Sequence, residues 1–162
     1  MRLSLASAPV AGEIHDAGVI VARAGPFGNG EDVMRIAQVA FLVPDYDEGL
    51  AFFAGVLGFS VLEDADLGGG KRWIRVRPPG GGVDLLLARA VGPEQTAAIG
   101  RQGGGRVFLF LETDDLARDH AAFQAGGVVF EEAPRREAYG AVAVFRDPWG
   151  NRWDLIEPAG SS

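Results

Sequence analysis

The feature that most constrains this chain is a repetition. Pro78-Pro79-Gly80-Gly81-Gly82-Val83-Asp84-Leu85-Leu86-Leu87 returns, seventy residues on, as Pro148-Trp149-Gly150-Asn151-Arg152-Trp153-Asp154-Leu155-Ile156. In both, a Pro–Gly turn leads into an apolar run broken by one aspartate. Pro presets φ at the second turn position, and Gly accepts the dihedral that follows. In the second copy Asp147 precedes the proline and can hydrogen-bond the turn's own backbone.

The same offset aligns Gln38 with Phe108, Asp45 with Asp115 and Phe53 with Phe123, so from Arg35 onward the chain reads as one unit written twice. In the first copy Ile36 to Val43 is a strand-like run ended by Pro44. Asp45-x-x-Glu48 is a capping box, and Leu50, Phe53, Ala54 and Leu57 recur at helical spacing up to Gly58. Phe59 to Leu62, Trp73 to Arg77 and Val83 to Ala88 then read as strands. The second copy gives a strand at Val107–Leu111, a helix capped by Asp114 or Asp115 and ended at Gly126-Gly127, and extended segments at 128–131, 141–145 and 153–157. Each copy is therefore β-α-β-β-β. The expected fold class is α+β, with two such repeats forming a cupped mixed sheet that carries its helices on the outer face.

The repeats span about 35–88 and 106–158, joined by a linker at about 89–105 with a short helix from Pro93 to Ile99. The domain is thus expected over 34–158, with a short tail at 159–162. Residues 1–33, rich in Ala, Gly and Ser and without sustained periodicity, read as a disordered or loosely docked arm.

Composition narrows the function. A net charge of −7 argues against a general nucleic-acid binder, which relies on a basic field. No run approaches the length of a membrane span. The absence of cysteine excludes disulfides, zinc–thiolate sites and thiol catalysis, and fits a cytoplasmic location.

Alternation along the strands assigns faces. Val39, Phe41 and Val43 pack under the first helix, which sends Gln38, Ala40 and Leu42 to the opposite face. By the same count Asp84, Phe108, Phe110, Asp154 and Ile156 lie on helix-free faces. These faces form a mostly apolar cup with a few polar groups, the usual makeup of a small-molecule pocket. Arg75 is the basic residue whose alternation aims it into the cup, either to meet a ligand or to pair with Asp84. Phe108, Phe110 and Phe145 are aromatic candidates for its lining, and for core. Either aspartate could instead bond only its local turn.

The order Gln38-Val-Ala-Phe-Leu-Val-Pro-Asp45, Phe52-Phe53-x-x-Val-Leu-Gly-Phe59 and Asp147-Pro-x-Gly-Asn-x-x-Asp-Leu-Ile-Glu157 resembles the vicinal oxygen chelate superfamily. That group includes glyoxalase I, bleomycin-resistance proteins, fosfomycin-resistance enzymes and extradiol dioxygenases. The resemblance implies up to four metal ligands, which fall on Gln38, Asp84, Phe108 and Asp154. Phenylalanine cannot ligate, and the paired histidines of a non-haem iron site are missing. The reading is therefore a small-molecule-binding protein of the glyoxalase/bleomycin-resistance type. Its expected site residues are Gln38, Arg75, Phe108, Phe110, Phe145, Asp84 and Asp154. It is expected to act as a homodimer and without a resident cofactor. The alternative is a glyoxalase-like lyase or isomerase with a divalent metal on Gln38, Asp84 and Asp154.

Overall fold

The computed structural model describes residues 34–160, so the arm expected at residues 1–33 lies outside them. Within the compact unit that begins at Ile36, the first repeat opens with β1 (Gln38–Val43). Pro44 follows, and the Asp45 carboxylate accepts the Asp47 and Glu48 N–H groups to cap α1 (Tyr46–Leu50). The helix then widens into a π-helical stretch, Ala51–Val56, where Leu57 N–H donates to the Phe52 carbonyl at 3.0 Å. This departs from the regular helix expected, and the reason is packing. Phe52 and Phe53 are adjacent, and a wider turn lets both rings reach the core.

Three strands follow: β2 (Ser60–Gly68), β3 (Lys71–Arg77) and β4 (Asp84–Arg89). The sheet order is β1-β4-β3-β2, with β1 and β4 parallel and the other neighbours antiparallel. After α2 (Gly92–Ala98) in the linker, the second repeat runs through β5 (Val107–Glu112) and α3 (Leu116–Ala125). It continues with β6 (Val129–Phe130), β7 (Arg135–Glu137), β8 (Gly140–Arg146) and β9 (Arg152–Pro158). Its order, β5-β9-β8-β6, repeats the first topology, with the unanticipated β7 as an added partner of β8. The α+β architecture of two βαβββ units is present as expected.

The two units differ in register. Gln38 stands opposite Asp84 in the first sheet, whereas a bulge between Val107 and Leu109 puts Phe110 opposite Asp154 in the second. The surplus residue is Phe108. Instead of facing the helix-free side, it packs against the core with its ring centroid 5.8 Å from Phe41. The linker presses on it there: a Cβ at Gly103 would lie 3.0 Å from the Phe108 Cβ.

One hydrophobic cluster takes buried residues from both repeats, so they share a core within a single chain. Phe41 and Phe53 meet edge to face at 5.0 Å, and Trp153 lies within 6.0 Å of both. Phe145 stacks on Trp153 at 5.8 Å and receives Phe123 of α3 from above.

The turn before β9 joins the repeats. Asp147 is buried, and one of its oxygens accepts the N–H groups of Trp149, Gly150 and Asn151. The other accepts from the Asn151 amide at 2.8 Å and the Trp153 indole at 3.2 Å. The Asn151 side-chain oxygen then accepts the Gln102 N–H, and the Gln102 amide bonds both the N–H and the carbonyl of Leu42 on β1. The linker is so close that a Cβ at Gly100, already at φ +72, would run into the Trp149 carbonyl.

Removing the Gln102 amide in Gln102→Ala is expected to cost about 1–3 kcal/mol, because two main-chain groups lose their partner. Asp147→Asn turns an amide donor toward two donors and is expected to cost about 3 kcal/mol or more. Urea denaturation measures both. A loss below about 0.5 kcal/mol for either, the level of an ordinary surface substitution, would contradict this role for the turn.

Candidate functional site

On the helix-free face of the first sheet, β4 contributes Asp84 and β1 contributes Gln38, which is directly opposite in the parallel register. β3 contributes Arg75 and Arg77, two residues apart and therefore on one face. Asp84 is only 1% exposed and is gripped by Arg77: Nε donates to one oxygen at 2.6 Å and a terminal nitrogen to the other at 3.1 Å. Arg75 adds a second guanidinium at 3.5 Å and also faces Glu63 at 3.2 Å. The hydrogen bond to Asp84 raises the pKa of Arg77. Of the two roles open to Arg75, pairing with Asp84 is thus seen, with Arg77 as the closer partner. Arg77 was the residue missed. It closes β3 and Asp84 opens β4, so an antiparallel hairpin through Pro78–Val83 brings their ends together, and that signal was present in the sequence.

The second sheet presents a different environment. Asp154 on β9 is 9% exposed, and one of its carboxylate oxygens is buried without a hydrogen-bond partner. Burial pushes its pKa up; Arg135 and Arg152 oppose that shift, and Glu131 adds to it. Neither arginine bonds Asp154, because both are engaged elsewhere. Arg152 grips Glu131 through three contacts between 2.8 and 3.1 Å, and that pairing holds the Glu131 carboxyl below its usual range. Arg135 pairs with Glu132 and Glu137. Around Asp154 the face is apolar: Val144 is its neighbour on β8, Val142 pairs with Ile156, and Phe110, an exposed residue at 64%, stands beside it on β5.

The expected site residues thus divide into three groups. Gln38, Asp84 and Arg75 share the helix-free face of the first sheet, and Phe110 and Asp154 share that of the second. Phe108 and Phe145 belong to the helix side. Phe145 is fully buried under α3, because its register partner is Trp153 and successive residues of β8 alternate faces. Among the described residues no three His, Cys, Asp or Glu side chains are grouped as a metal would require.

A separate open groove of about 720 Å³ runs along the helix side, between the π-helical stretch, the end of α3 and the Asp147 turn. Phe52, Val56, Val128 and Trp149 line it, with Glu48 and Arg146 at its edges. None of these was expected to line a cavity, because a groove between repeats depends on their packing and has no local sequence signal.

Comparison with known proteins agrees with this architecture. Residues 35–155 match the family model of the Glyoxalase/Bleomycin resistance protein/Dioxygenase superfamily. An uncharacterised protein of Shewanella frigidimarina is 50% identical over 124 residues, covering 75% of this chain and 92% of that protein. The crystal structure of UcmS2 is similar with a TM-score of 0.66 and 28% identity, covering 78% of this chain and 99% of that one. TnmS3, an antibiotic binding protein from Streptomyces sp. CB03234, is 31% identical with a TM-score of 0.57, covering 78% of this chain and all of that one. The chain belongs to the Glyoxalase/Bleomycin resistance protein/Dioxygenase superfamily.

Proposed function

We propose that this protein binds a small organic molecule on its helix-free faces and does so without metal-dependent chemistry. The observation that carries this reading is Asp154: a nearly buried carboxylate with an unpartnered oxygen, set on an apolar face beside an exposed aromatic ring. A buried polar group without a partner is costly, and a ligand that supplies one recovers that cost. The likeness to an antibiotic binding protein supports the same class of function.

The residues expected to hold a divalent cation do not suit that task. Both oxygens of Asp84 are bonded to Arg77, with Arg75 close by, so a cation there would meet two guanidinium groups. Phe110, beside Asp154, offers no ligand atom. In this reading the protein acts as a cytoplasmic homodimer; its mass in solution tests the dimer. No helix among the described residues is long and apolar enough to cross a membrane.

The test is a thermal-shift screen against aromatic antibiotics and related metabolites, followed by mass spectrometry of the recovered compound. A binder at about a hundred times its Kd is expected to add about 2.7 kcal/mol, a rise of several degrees in Tm, and to be recovered unchanged. Asp154→Ala should remove the shift. Saturable turnover of a glutathione hemithioacetal that requires Ni²⁺, Zn²⁺ or Mn²⁺ and is lost in Asp154→Ala would establish the lyase alternative instead.

Stability should also depend on pH through Asp154. The folded protein holds the Asp154 proton more tightly than the unfolded chain, whose value is near 3.8. Between that value and the folded pKa the unfolded chain has released the proton and the native state has not, so stability falls as pH rises. Asp154→Asn removes this dependence. Its stability relative to the wild type should therefore improve as pH rises through that window and then level off. Melting curves across mildly acidic to neutral pH measure the difference, and a flat difference would contradict the assignment.

A further inference from the structure

We propose that the ligand is a cation: an aromatic or otherwise apolar molecule that presents a protonated amine to Asp154 with its charge against the Phe110 ring. This rests on the small-molecule-binding reading above and adds the charge of the ligand.

Most charges around that face are already paired. Three guanidinium groups, those of Arg135, Arg146 and Arg152, stand near it, and each already has a carboxylate. Arg146 and Arg152 share Glu131, at 2.7 and 2.8 Å, while Arg135 is flanked by Glu132 and Glu137. Three cations are thus matched by three anions, and Asp154 remains over. Glu112, two residues beyond Phe110 and on the same face, is exposed and makes no ion pair among the described residues, so it adds to the negative excess. An anionic ligand would meet this excess while finding the arginine donors engaged. A neutral hydroxyl would satisfy one hydrogen bond and leave the charge. An ammonium group satisfies both.

Geometry points the same way. Phe110 and Asp154 are direct neighbours across the parallel pair, so ring and carboxylate stand side by side on one face. A carboxylate beside an exposed aromatic face is a recognised arrangement for an organic cation, since the ring quadrupole attracts positive charge as the carboxylate does. Ile156, partly exposed two residues beyond Asp154 and on the same face, offers apolar contact for the rest of the molecule.

Three probes with one ring and different heads isolate the claim: 1-naphthylmethylamine, 1-naphthylmethanol and 1-naphthylacetate, titrated calorimetrically at neutral pH. The amine is expected to bind about tenfold or more tightly than the alcohol, with the acetate weakest. Asp154→Asn, a near-isosteric change whose folding a melting curve verifies, should reduce the amine–alcohol ratio to about twofold or less while sparing the alcohol. Phe110→Ala should weaken the amine without restoring the acetate. Equal binding of the three heads, or a preference for the acetate, would overturn the cation assignment and leave small-molecule binding standing. The same holds for an amine preference that survives Asp154→Asn. Failure of all three probes and of the thermal-shift screen would overturn both.

Discussion

The structure depends first on one buried carboxylate. Asp147 takes five hydrogen bonds, three from the backbone of its own turn and two from the side chains of Asn151 and Trp153. A carboxylate removed from water costs several kcal/mol, so it is tolerated only where donors surround it. Here they do, and the turn becomes a rigid joint. Asn151, held by Asp147, presents its oxygen to the linker at Gln102, and Gln102 fastens to the edge of β1. The chain of bonds thus runs from the last strand of the second repeat to the first strand of the first. Trp153, bonded to the same carboxylate, carries the joint into the aromatic core beside Phe41 and Phe53.

With the repeats so fixed, the helix-free faces are free to diverge, and they do so at matching positions. Asp84 and Asp154 occupy equivalent places in two copies of one motif, yet one is consumed by arginine and the other is not. The difference arises from neighbours. In the first sheet the strand beside Asp84 ends in Arg77, whose side chain lies on the same face and close enough for two bonds. In the second, the strand beside Asp154 brings Val144 and Val142, while the nearby arginines are held by glutamates of the β6–β7 segment. The two faces thus differ: Asp84 is neutralised by arginine, whereas Asp154 keeps an oxygen without a hydrogen-bond partner. The proposed function rests on the second of these faces.

Much of this was legible in the sequence, and the boundary is instructive. The repeat, the helix caps at Asp45 and Asp115 and the turn at Asp147 are local patterns that act through a few neighbouring residues. The bulge at Phe108 is not. It forms where the glycine-rich linker lies against β5, and no alternation count could show that a residue there would be squeezed out of register. From that one insertion follow the core position of Phe108 and the pairing of Phe110 with Asp154. The widened turn at Phe52–Phe53 has the same character, since two adjacent rings are drawn inward by a core built from both repeats. Long-range packing decided what local pattern left open.

In the proposed function Asp154 stays buried, with an oxygen lacking a hydrogen-bond partner, until a ligand arrives. Its side-chain carboxyl carbon, followed by NMR through an acid titration of the free protein, reports this directly. A midpoint above 3.8, the ordinary value, is predicted, because burial opposes ionisation more than Arg135 and Arg152 favour it. A midpoint at or below that value would mean that Asp154 already has a partner in the free protein and is not held open for a ligand.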